Sequence, residues 1–339
     1  MPKQHKLDQF YTKPEIVEHV LQMVDCSPFD LIVEPSAGAG DFLKYLPLDK
    51  TLAMDLEPAV EGIERRDFFE FLPTDGKNIL TIGNPPFGKN SSLAVMFFNH
   101  AAQFSDCIAF IVPRTFRKPS VINRLDNNFH LTSQEILPLE SFYDSSGETH
   151  EVPTVFQVWE KQFYPRTKTE VYTQHPDFDI LTTNDYNVST LEVRFNMSGA
   201  HYGAKEEASY IMDQAEYKTV GDLRKRYPKL FSAHRITTVE MDLTWKNKPD
   251  FAWRRAGARS GEVFPNYGAC PLQGFEFIKV NTPGVLTIFK QIWKEIWDPG
   301  INKDRSDSKW DTAGQASISR HELIKLYREY KIKEKTINE

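Results

Sequence analysis

Ile79-Leu80-Thr81-Ile82-Gly83 runs directly into Asn84-Pro85-Pro86-Phe87. An apolar run that ends in a polar residue and two prolines predicts a buried parallel strand that stops at the edge of a sheet. Ligands of open α/β sheets bind at that edge. Asn84 offers a side-chain acceptor, the prolines remove two backbone donors, and Phe87 offers an aromatic face. The pattern indicates a site for the exocyclic amino group of a planar base.

Strand-like and helix-like segments alternate through the first half of the chain. The predicted strands are 31–33, 51–54, 79–83, 107–112 and 152–159. Helices are expected over Glu15–Val24, from Leu43 onward and around 93–104. This alternation predicts an α/β fold with a doubly wound, Rossmann-like parallel sheet. In the second half, a capping box at Ser319 and Glu322 predicts a helix over 318–331.

A glycine-rich loop, Glu34-Pro35-Ser36-Ala37-Gly38-Ala39-Gly40, follows the first predicted strand. Gly38 and Gly40 allow a tight turn and a close approach of the backbone to a ligand. The loop matches neither the G-x-G-x-x-G fingerprint nor the G-K-[ST] ending of a P-loop. Asp55 ends the next strand, where a carboxylate is placed to bind ribose hydroxyls. The sequence therefore predicts a cofactor that has a ribose and no polyphosphate.

The composition is that of a globular protein. The chain has 339 residues, of which 40% are hydrophobic and 26% charged, which favours roughly two domains. No apolar stretch reaches the ~18 residues of a membrane span. The N-terminus lacks a signal-peptide pattern, and three separated cysteines offer neither a disulfide framework nor zinc spacing. We expect a cytoplasmic protein with no membrane partner and no metal.

Charge is divided unevenly along the chain. Residues 191–339 carry 25 Lys and Arg against 20 Asp and Glu, whereas residues 1–190 carry 16 against 27. The second part is therefore net +5 and the first net −11, within a total of −6. Such asymmetry indicates nucleic-acid contact through the basic part, although a solvated surface of mixed charge gives the same counts.

These motifs, taken in order, resemble those of class I S-adenosylmethionine-dependent methyltransferases, and most closely the gamma-class DNA adenine-N6 methyltransferases. The shared order is Gln9-Phe10-Tyr11-Thr12-Lys13-Pro14, the glycine loop, the acidic strand end, Asn-Pro-Pro-aromatic and a C-terminal target-recognition region. The resemblance covers roughly residues 8–165. Ser36 and Ala37 depart from the commonest glycine loops. Phe87 replaces the commoner Tyr, which keeps stacking and removes a hydroxyl.

The resemblance implies a methyltransferase domain over residues 1–165 and a target-recognition region over 166–339. It implies S-adenosylmethionine as cofactor and a site-specific enzyme of the restriction–modification type, in a bacterial or phage-infected cell. The implied cofactor residues are Tyr11, Thr12, Glu34, Pro35, Ser36, Ala37, Gly38, Gly40, Asp55, Leu56, Asp67, Phe68 and Asn84. The implied catalytic residues are Asn84, Pro85, Pro86 and Phe87. Asp67 and Phe68 also fit a surface carboxylate beside a core aromatic residue.

The chemistry expected of such a site is methyl transfer to the N6 amino group of adenine in DNA. That nitrogen is a poor nucleophile because its lone pair is delocalised into the ring. Asn84 Oδ1 and the Pro85 carbonyl would accept its two N–H bonds and free the lone pair, while Phe87 stacks on the base. Catalysis then consists of positioning and electrostatic stabilisation, with the base flipped out of a duplex.

Several residues are candidates for contact with the nucleic acid. They are Phe87, Arg114, Phe156, Arg254, Arg255 and Arg259. Phe156 fits either a second aromatic face for the base or a core strand. Arg114 fits either the edge of the pocket or a phosphate contact. The three arginines of Trp253–Gly261 fit phosphates and base edges, or an exposed loop.

Three rival functions remain open at this point. The first is the same chemistry on RNA adenine, and the second is methylation of a glutamine amide in a protein. The third is a nucleic-acid binder that retains a methyltransferase fold. The intact Asn84–Phe87 motif with Asp55 disfavours the third. The target site and the oligomeric state are not encoded in these motifs.

Overall fold

The computed structural model describes residues 11–73, 76–144, 146–182, 184–196, 207–212, 220–228, 235–257, 259–270, 274–297 and 317–338. The chain divides into two compact units. Unit 1 is Met1–Val171 with Arg305–Ser317, and unit 2 is Tyr172–Asp304 with Ile318–Glu339. The main division follows residue 171, whereas the sequence predicts one after residue 165. Gln9 and Phe10 of the first motif lie outside the described residues.

Most strands of unit 1 belong to one sheet. The strands of this unit are β1 (Tyr11–Thr12), β2 (Leu31–Glu34), β3 (Thr51–Asp55), β4 (Ile63–Arg65), β5 (Ile79–Gly83), β6 (Cys107–Pro113), β7 (Phe129–Ile136), β8 (Phe142–Tyr143), β9 (Thr149–His150) and β10 (Thr154–Lys161). The central sheet has the order β4-β3-β2-β5-β6-β10-β7. Strands β2 to β6 pair in parallel, and β10 is antiparallel to both neighbours. The predicted α/β, doubly wound sheet is confirmed.

Helices cover this sheet. They are α1 (Pro14–Leu21), α2 (Ser92–Ala101) and the short α3 (Pro119–Ile122). Alternate residues of β6 face opposite layers: Ile108 and Phe110 pack in the core that includes α2, and Ala109 and Ile111 in the core that includes α1. Since both faces are covered, the strand reads as a continuous apolar run rather than an alternating one.

The prediction of a helix from Leu43 onward is wrong, because residues 39–45 form turns. Only one i→i−4 hydrogen bond appears there, from Lys44 N to Gly40 O at 3.2 Å. Gly40 has a φ of +74°, and Pro47 disfavours helical geometry in the residue before it. The turns are closed instead by i→i−3 hydrogen bonds, from Gly40 N to Ala37 O at 2.7 Å and from Tyr45 N to Phe42 O at 2.9 Å.

A second, small sheet holds the N-terminal segment of the described chain. β1 pairs antiparallel with β8, and β8 pairs with β9. Tyr11 lies opposite Tyr143, and Thr12 lies opposite Phe142. The backbone N–H of Lys13 donates to the carbonyl of Ser141 at 3.1 Å, just before Pro14 begins α1.

Unit 2 contains two antiparallel sheets. Its strands are β11 (Phe178–Ile180), β12 (Tyr186–Asn196), β13 (Glu207–Met212), β14 (Arg235–Trp245), β15 (Phe251–Arg254), β16 (Val263–Phe264) and β17 (Phe275–Val280). One sheet has the order β11-β17-β15-β16, and the other β13-β12-β14. The helices are α4 (Val220–Arg226), α5 (Val285–Ile292), a π-helical turn (Trp293–Trp297) and α6 (Arg320–Asn338).

The core of unit 2 forms where α5 and α6 pack on the four-stranded sheet. Phe251, Phe289 and Tyr327 are buried together in this core. The predicted capping box is confirmed: Ser319 N donates to the Glu322 carboxylate at 2.7 Å, and Glu322 N donates to Ser319 Oγ at 3.2 Å. No helix in the described residues combines the length and hydrophobicity needed to cross a membrane.

Candidate active site

The crevice of the central sheet opens where β2 and β5 lie side by side. From β2 the chain continues to β3 and β4 on one side, and from β5 it continues to β6 on the other. Such a switch point is where open α/β sheets bind ligands. Glu34 is the last residue of β2, and Asn84 follows the last residue of β5. An ideal Cβ on Gly83 would lie 3.5 Å from Cγ of Glu34, so the two strand ends are adjacent.

Thr12 holds the side chain of Asn84. The amide Nδ2 of Asn84 donates to Oγ1 of Thr12 at 3.3 Å. Thr12 is only 2% exposed and is fixed by the pairing of β1 with β8. Because the amide nitrogen makes this bond, the acceptor atom Oδ1 lies on the other side of the amide group, where it is buried. A predicted catalytic residue and a predicted cofactor residue are thus in contact.

Phe87 is anchored by its own backbone. Its carbonyl oxygen accepts hydrogen bonds from the N–H groups of Leu93 at 3.2 Å and Ala94 at 3.3 Å, in the first turn of α2. These are among the N–H groups that a helix start leaves without a helical partner. The bend between the two requires glycine, since an ideal Cβ on Gly88 would lie 2.7 Å from Cβ of Leu93.

The loop that follows Phe87 contains two non-glycine residues in left-handed conformation. Asn90 has a φ of 53° and Ser91 a φ of 59°, and no other described non-glycine residue has a positive φ. Ser91 is 1% exposed, and its Oγ lies 2.6 Å from Oγ1 of Thr115. Such strained residues persist where surrounding contacts hold them, often at functional sites. The sequence analysis did not single out this loop.

The glycine loop folds around Asp55. The N–H of Gly38 donates to Oδ2 of Asp55 at 2.8 Å, and Oδ1 of Asp55 accepts from the N–H of Glu57 at 2.8 Å. Gly38 has a φ of +52°, as expected for the tight turn. Asp55 therefore lies beside the glycine loop at the end of β3, in the predicted position. Each carboxylate oxygen keeps a second lone pair that can accept from a ligand hydroxyl.

Asp41 and Tyr143 join the small sheet to the glycine loop. The Tyr143 hydroxyl lies 3.2 Å from both carboxylate oxygens of Asp41, which also pairs with Lys44 at 2.9 Å. The rings of Tyr11 and Tyr143 lie 5.5 Å apart, centroid to centroid. Burial and the Asp41 charge raise the pKa of Tyr143 to about 12. No local motif indicates Tyr143, because Asp41 and Tyr11 lie more than a hundred residues before it in the chain.

Glu34 is the most deeply buried carboxyl group of the site. Its side chain is 1% exposed, and its Oε2 atom has no hydrogen-bond partner. Burial, together with the negative charges of Asp41 and Asp55, raises the pKa of Glu34 to about 8. A hydrogen bond from the backbone N–H of Leu43 acts in the opposite direction and is outweighed. Glu34 is therefore mostly protonated at neutral pH.

The remaining predicted cofactor residues lie along the same edge. Pro35, Ser36 and Ala37 connect β2 to Gly38, and the N–H of Ala37 donates to the Met54 carbonyl at 3.0 Å. Leu56 follows Asp55 and is 60% exposed.

Phe68 does not form the predicted aromatic wall. It is 2% exposed and packs in the core, with its ring 5.2 Å from that of Phe97. The Asp67 side chain accepts from the N–H of Phe69 at 2.9 Å and caps a short 3₁₀ turn. Phe69, the next residue, is 36% exposed and keeps part of its ring at the surface.

Phe156 and Arg114 are both buried. Phe156 lies in the core on the α1 side of the sheet, so of the two roles that the sequence allows it is the core strand residue and not a second aromatic face for the base. Arg114, at the end of β6, is 7% exposed, and its Nη2 lies 3.5 Å from the Leu137 carbonyl. This burial favours the predicted place at the edge of the pocket over a phosphate contact at the surface.

The three predicted arginines of unit 2 all have partners within that unit. The Arg254 guanidinium lies 5.6 Å and 5.2 Å from the ring centroids of Phe264 and Phe275. Arg255 lies 3.6 Å from the carboxylate of Glu276, and Arg259 pairs with Glu262. Arg254 is therefore a packing residue. The side chains of Arg255 and Arg259 are 52% and 60% exposed, which keeps them available to a polyanion.

Asp144, Glu148 and His150 form a cluster that the sequence analysis did not identify. Each offers one potential metal-ligand atom, and these atoms lie within 4.8 Å of one another. The Ser146 hydroxyl donates to Asp144 at 2.5 Å and His150 Nε2 lies 2.8 Å from its other carboxylate oxygen, and these bonds lower the pKa of Asp144. The group is at least partly exposed and satisfied by its own hydrogen bonds, and the absence of a metal remains a prediction.

Comparison with known proteins gives structural likeness alone. No protein-family model and no curated protein matches the chain. One similar solved structure is a "putative RNA methyltransferase", PH1948 from Pyrococcus horikoshii, at 18% identity and a TM-score of 0.38, covering 48% of this chain and 92% of that one. Another is the 23S rRNA methyltransferase ErmE, at 11% identity and a TM-score of 0.35, covering 46% and 71%.

Proposed function

We propose that this protein is a methyltransferase that transfers a methyl group from S-adenosylmethionine to the N6 amino group of adenine in DNA. The observation that carries the proposal is the hydrogen bond between Asn84 and Thr12. It orients the amide of Asn84 at the end of β5, and the buried amide oxygen would accept a hydrogen bond from the amino group of the base.

The acceptor side of the site suits a flat amine. Oδ1 of Asn84 and the carbonyl of Pro85 accept the two N–H bonds of the amino group, which localises the nitrogen lone pair for attack. Phe87, held by the first turn of α2, stacks on the base. This arrangement stabilises the transition state through preorganised acceptors. The nitrogen needs no general base before methyl transfer. It would bond to the methyl carbon as the carbon–sulfur bond breaks and leaves its electron pair on sulfur, and the methylated nitrogen would then lose one proton to solvent.

The donor side of the site suits a nucleoside-like cofactor. When bound, S-adenosylmethionine supplies an electrophilic methyl group. The glycine loop between Glu34 and Gly40 lets the cofactor approach the backbone closely. Asp55 holds the ribose hydroxyls, and the exposed side chain of Leu56 lies next to it. Glu34, buried at the end of β2, faces the positively charged portion.

The substrate is a polyanion that carries adenine. Arg255 and Arg259 keep at least half of their side-chain surface exposed, which supports contact with phosphates. In a duplex the target adenine leaves the base stack at a cost of a few kcal/mol. RNA adenine is the alternative substrate, and glutamine in a protein is the second alternative.

The test uses S-adenosylmethionine with a deuterated methyl group, so that new methylation is distinguished from methylation already present. The purified protein is incubated with unmethylated plasmid DNA, total RNA or a protein extract, and each product is digested and examined by mass spectrometry. We expect the heavy methyl group on N6 of deoxyadenosine. Asn84→Ala should abolish the product and leave cofactor binding nearly intact.

Asn78→Ala is the matched control, because Asn78 lies just before the opposite end of β5 and makes only exposed side-chain contacts. This variant should keep its activity. Heavy methyl groups found only in RNA would replace DNA by RNA in the proposal. Heavy methyl groups found only on glutamine would favour the protein alternative, and an absence of label in all three substrates would refute methyl transfer.

A further inference from the structure

Three carboxyl groups lie around the glycine loop, and they are not equivalent. Asp55 accepts two backbone N–H bonds, and Asp41 is paired with Lys44 and Tyr143. Glu34 is 1% exposed and has one oxygen, Oε2, without a hydrogen-bond partner. A buried carboxylate without compensation is costly, so such a group stays neutral until a positive charge arrives.

Among the residues that the structure describes, no cation lies where it would neutralise Glu34. The turn after the glycine loop brings Asp41, and β3 brings Asp55; both charges oppose ionisation. From β5 come Gly83 and the uncharged Asn84. The positive charge of Lys44 is engaged by Asp41. Among the described groups, the one that favours the ionised form of Glu34 is the backbone N–H of Leu43, which donates a hydrogen bond to it.

We infer that Glu34 is a proton-exchange site that admits a positively charged ligand: binding of the cation expels the proton of the Glu34 carboxyl group to solvent. The inference rests on the proposed function, because it takes S-adenosylmethionine as the ligand. The O–H bond of the carboxyl group breaks, the proton goes to the buffer, and the carboxylate pairs with the positive charge of the ligand. The net charge of the crevice is thereby conserved.

Two consequences can be measured. Binding of S-adenosylmethionine at pH 7 should release about one proton per site, because a group with a pKa of about 8 is mostly protonated there. The dissociation constant should fall about tenfold between pH 6 and pH 7, where the ligand's own α-amino group, with a reference pKa of about 7.7–8.0, stays charged. The fall should end near pH 8, because the α-amino group loses its proton above that pH.

The experiment is calorimetric titration at pH 7 in two buffers with different ionisation enthalpies, which gives the number of protons released. The probes are S-adenosylmethionine, S-adenosylhomocysteine, which lacks the sulfonium charge, and adenosine, which lacks both positive charges. Release with the first two identifies the ammonium group as the trigger, and release with the first alone identifies the sulfonium. Equal release with adenosine would overturn the inference.

The Glu34→Gln variant should bind S-adenosylmethionine without releasing a proton. Glu57 is an exposed carboxylate in the loop after β3, and the Glu57→Gln variant should release as many protons as the wild type. If Glu34→Gln binds too weakly to measure, the two-buffer result for the wild type decides. Binding of S-adenosylmethionine without proton release would refute the inference and leave the proposed function intact. An absence of binding would refute both.

Discussion

The side-chain amide of Asn84 and the hydroxyl of Thr12 lie 3.3 Å apart, although 72 residues separate them in the sequence. The bond joins the carboxyl end of the central strand β5 to β1 of the small sheet. It also orients the amide group of Asn84, whose oxygen is buried. The acceptor geometry of the site therefore depends on a residue that belongs to neither the Asn-Pro-Pro-Phe motif nor the glycine loop.

Thr12→Val tests this dependence, because it removes the hydroxyl and keeps the shape of the side chain. We expect kcat to fall about three- to tenfold, the equivalent of one ordinary hydrogen bond. Thr12→Ser should restore most of the rate. Single-turnover methyl transfer at saturating cofactor measures the effect. A Thr12→Val enzyme with wild-type kcat would show that Asn84 is oriented without Thr12.

Asp55→Ala should weaken S-adenosylmethionine binding by roughly 1–3 kcal/mol, the cost of losing hydrogen bonds to a charged group. The substitution also removes the acceptor for the Gly38 N–H, so the glycine loop loses a hydrogen bond that holds it in place. Calorimetry on the wild type, Asp55→Ala and the control Glu57→Gln measures the change. Equal affinity in all three proteins would remove Asp55 from the cofactor site.

Gly88→Ala should destabilise the protein by roughly 1–3 kcal/mol and impair turnover. The new Cβ would lie 2.7 Å from Cβ of Leu93, in a residue whose φ is +66°. Gly147→Ala is a matched control, since its φ is +82° and nothing lies within 4 Å of the added Cβ. Urea unfolding compares the two variants. Equal losses would mean that backbone strain alone, and not the contact with Leu93, requires glycine.

The apo protein should lose stability as the pH rises from about 4.5 to about 8, through Glu34. The folded pKa, about 8, lies above the ordinary value of 4.5, so the folded state binds more protons than the unfolded state in this range. Stability must then fall with rising pH, by about 5 kcal/mol at most from this group. Urea unfolding at pH 6, 7 and 8 measures the trend. Glu34→Gln should flatten it and exceed the wild type in stability at pH 8.

Arg255→Ala combined with Arg259→Ala should weaken DNA binding and reduce its dependence on salt, because phosphate contacts release counterions. Arg254 is left unchanged, since its packing on Phe264 and Phe275 would confound the result. Lys248→Ala with Lys294→Ala removes the same charge from exposed positions. Fluorescence anisotropy at several salt concentrations compares the proteins. Equal salt slopes for the two double variants would leave the arginine pair without a specific role.

The strand ends could be predicted from the sequence because each is a local pattern. Each of these strands is an apolar run that ends at a polar residue, and this pattern predicted the positions of Glu34, Asp55 and Asn84. The contact between Asp41 and Tyr143 could not be predicted, since it depends on how β8 packs over the glycine loop.

Burial was harder to predict than position. Phe68 and Phe156 are aromatic residues close to predicted ligand-binding motifs in the sequence, but both are packed in the hydrophobic core. Side-chain chemistry does not distinguish the two uses; only the packing on each face of the sheet does. The expected helix after Gly40 failed for a different reason, since the segment closes into turns through i→i−3 hydrogen bonds.

The small sheet also sets the order in which the site can be assembled during synthesis. Thr12 leaves the ribosome early, but its pairing partner Phe142 is made 130 residues later. The glycine loop, Asp55 and the Asn-Pro-Pro-Phe motif all emerge before that partner exists. A nascent chain that ends before β8 therefore carries every recognisable motif of the site and lacks the strand that holds Thr12 against Asn84. The site can therefore orient an acceptor through Thr12 only after β8 has been made.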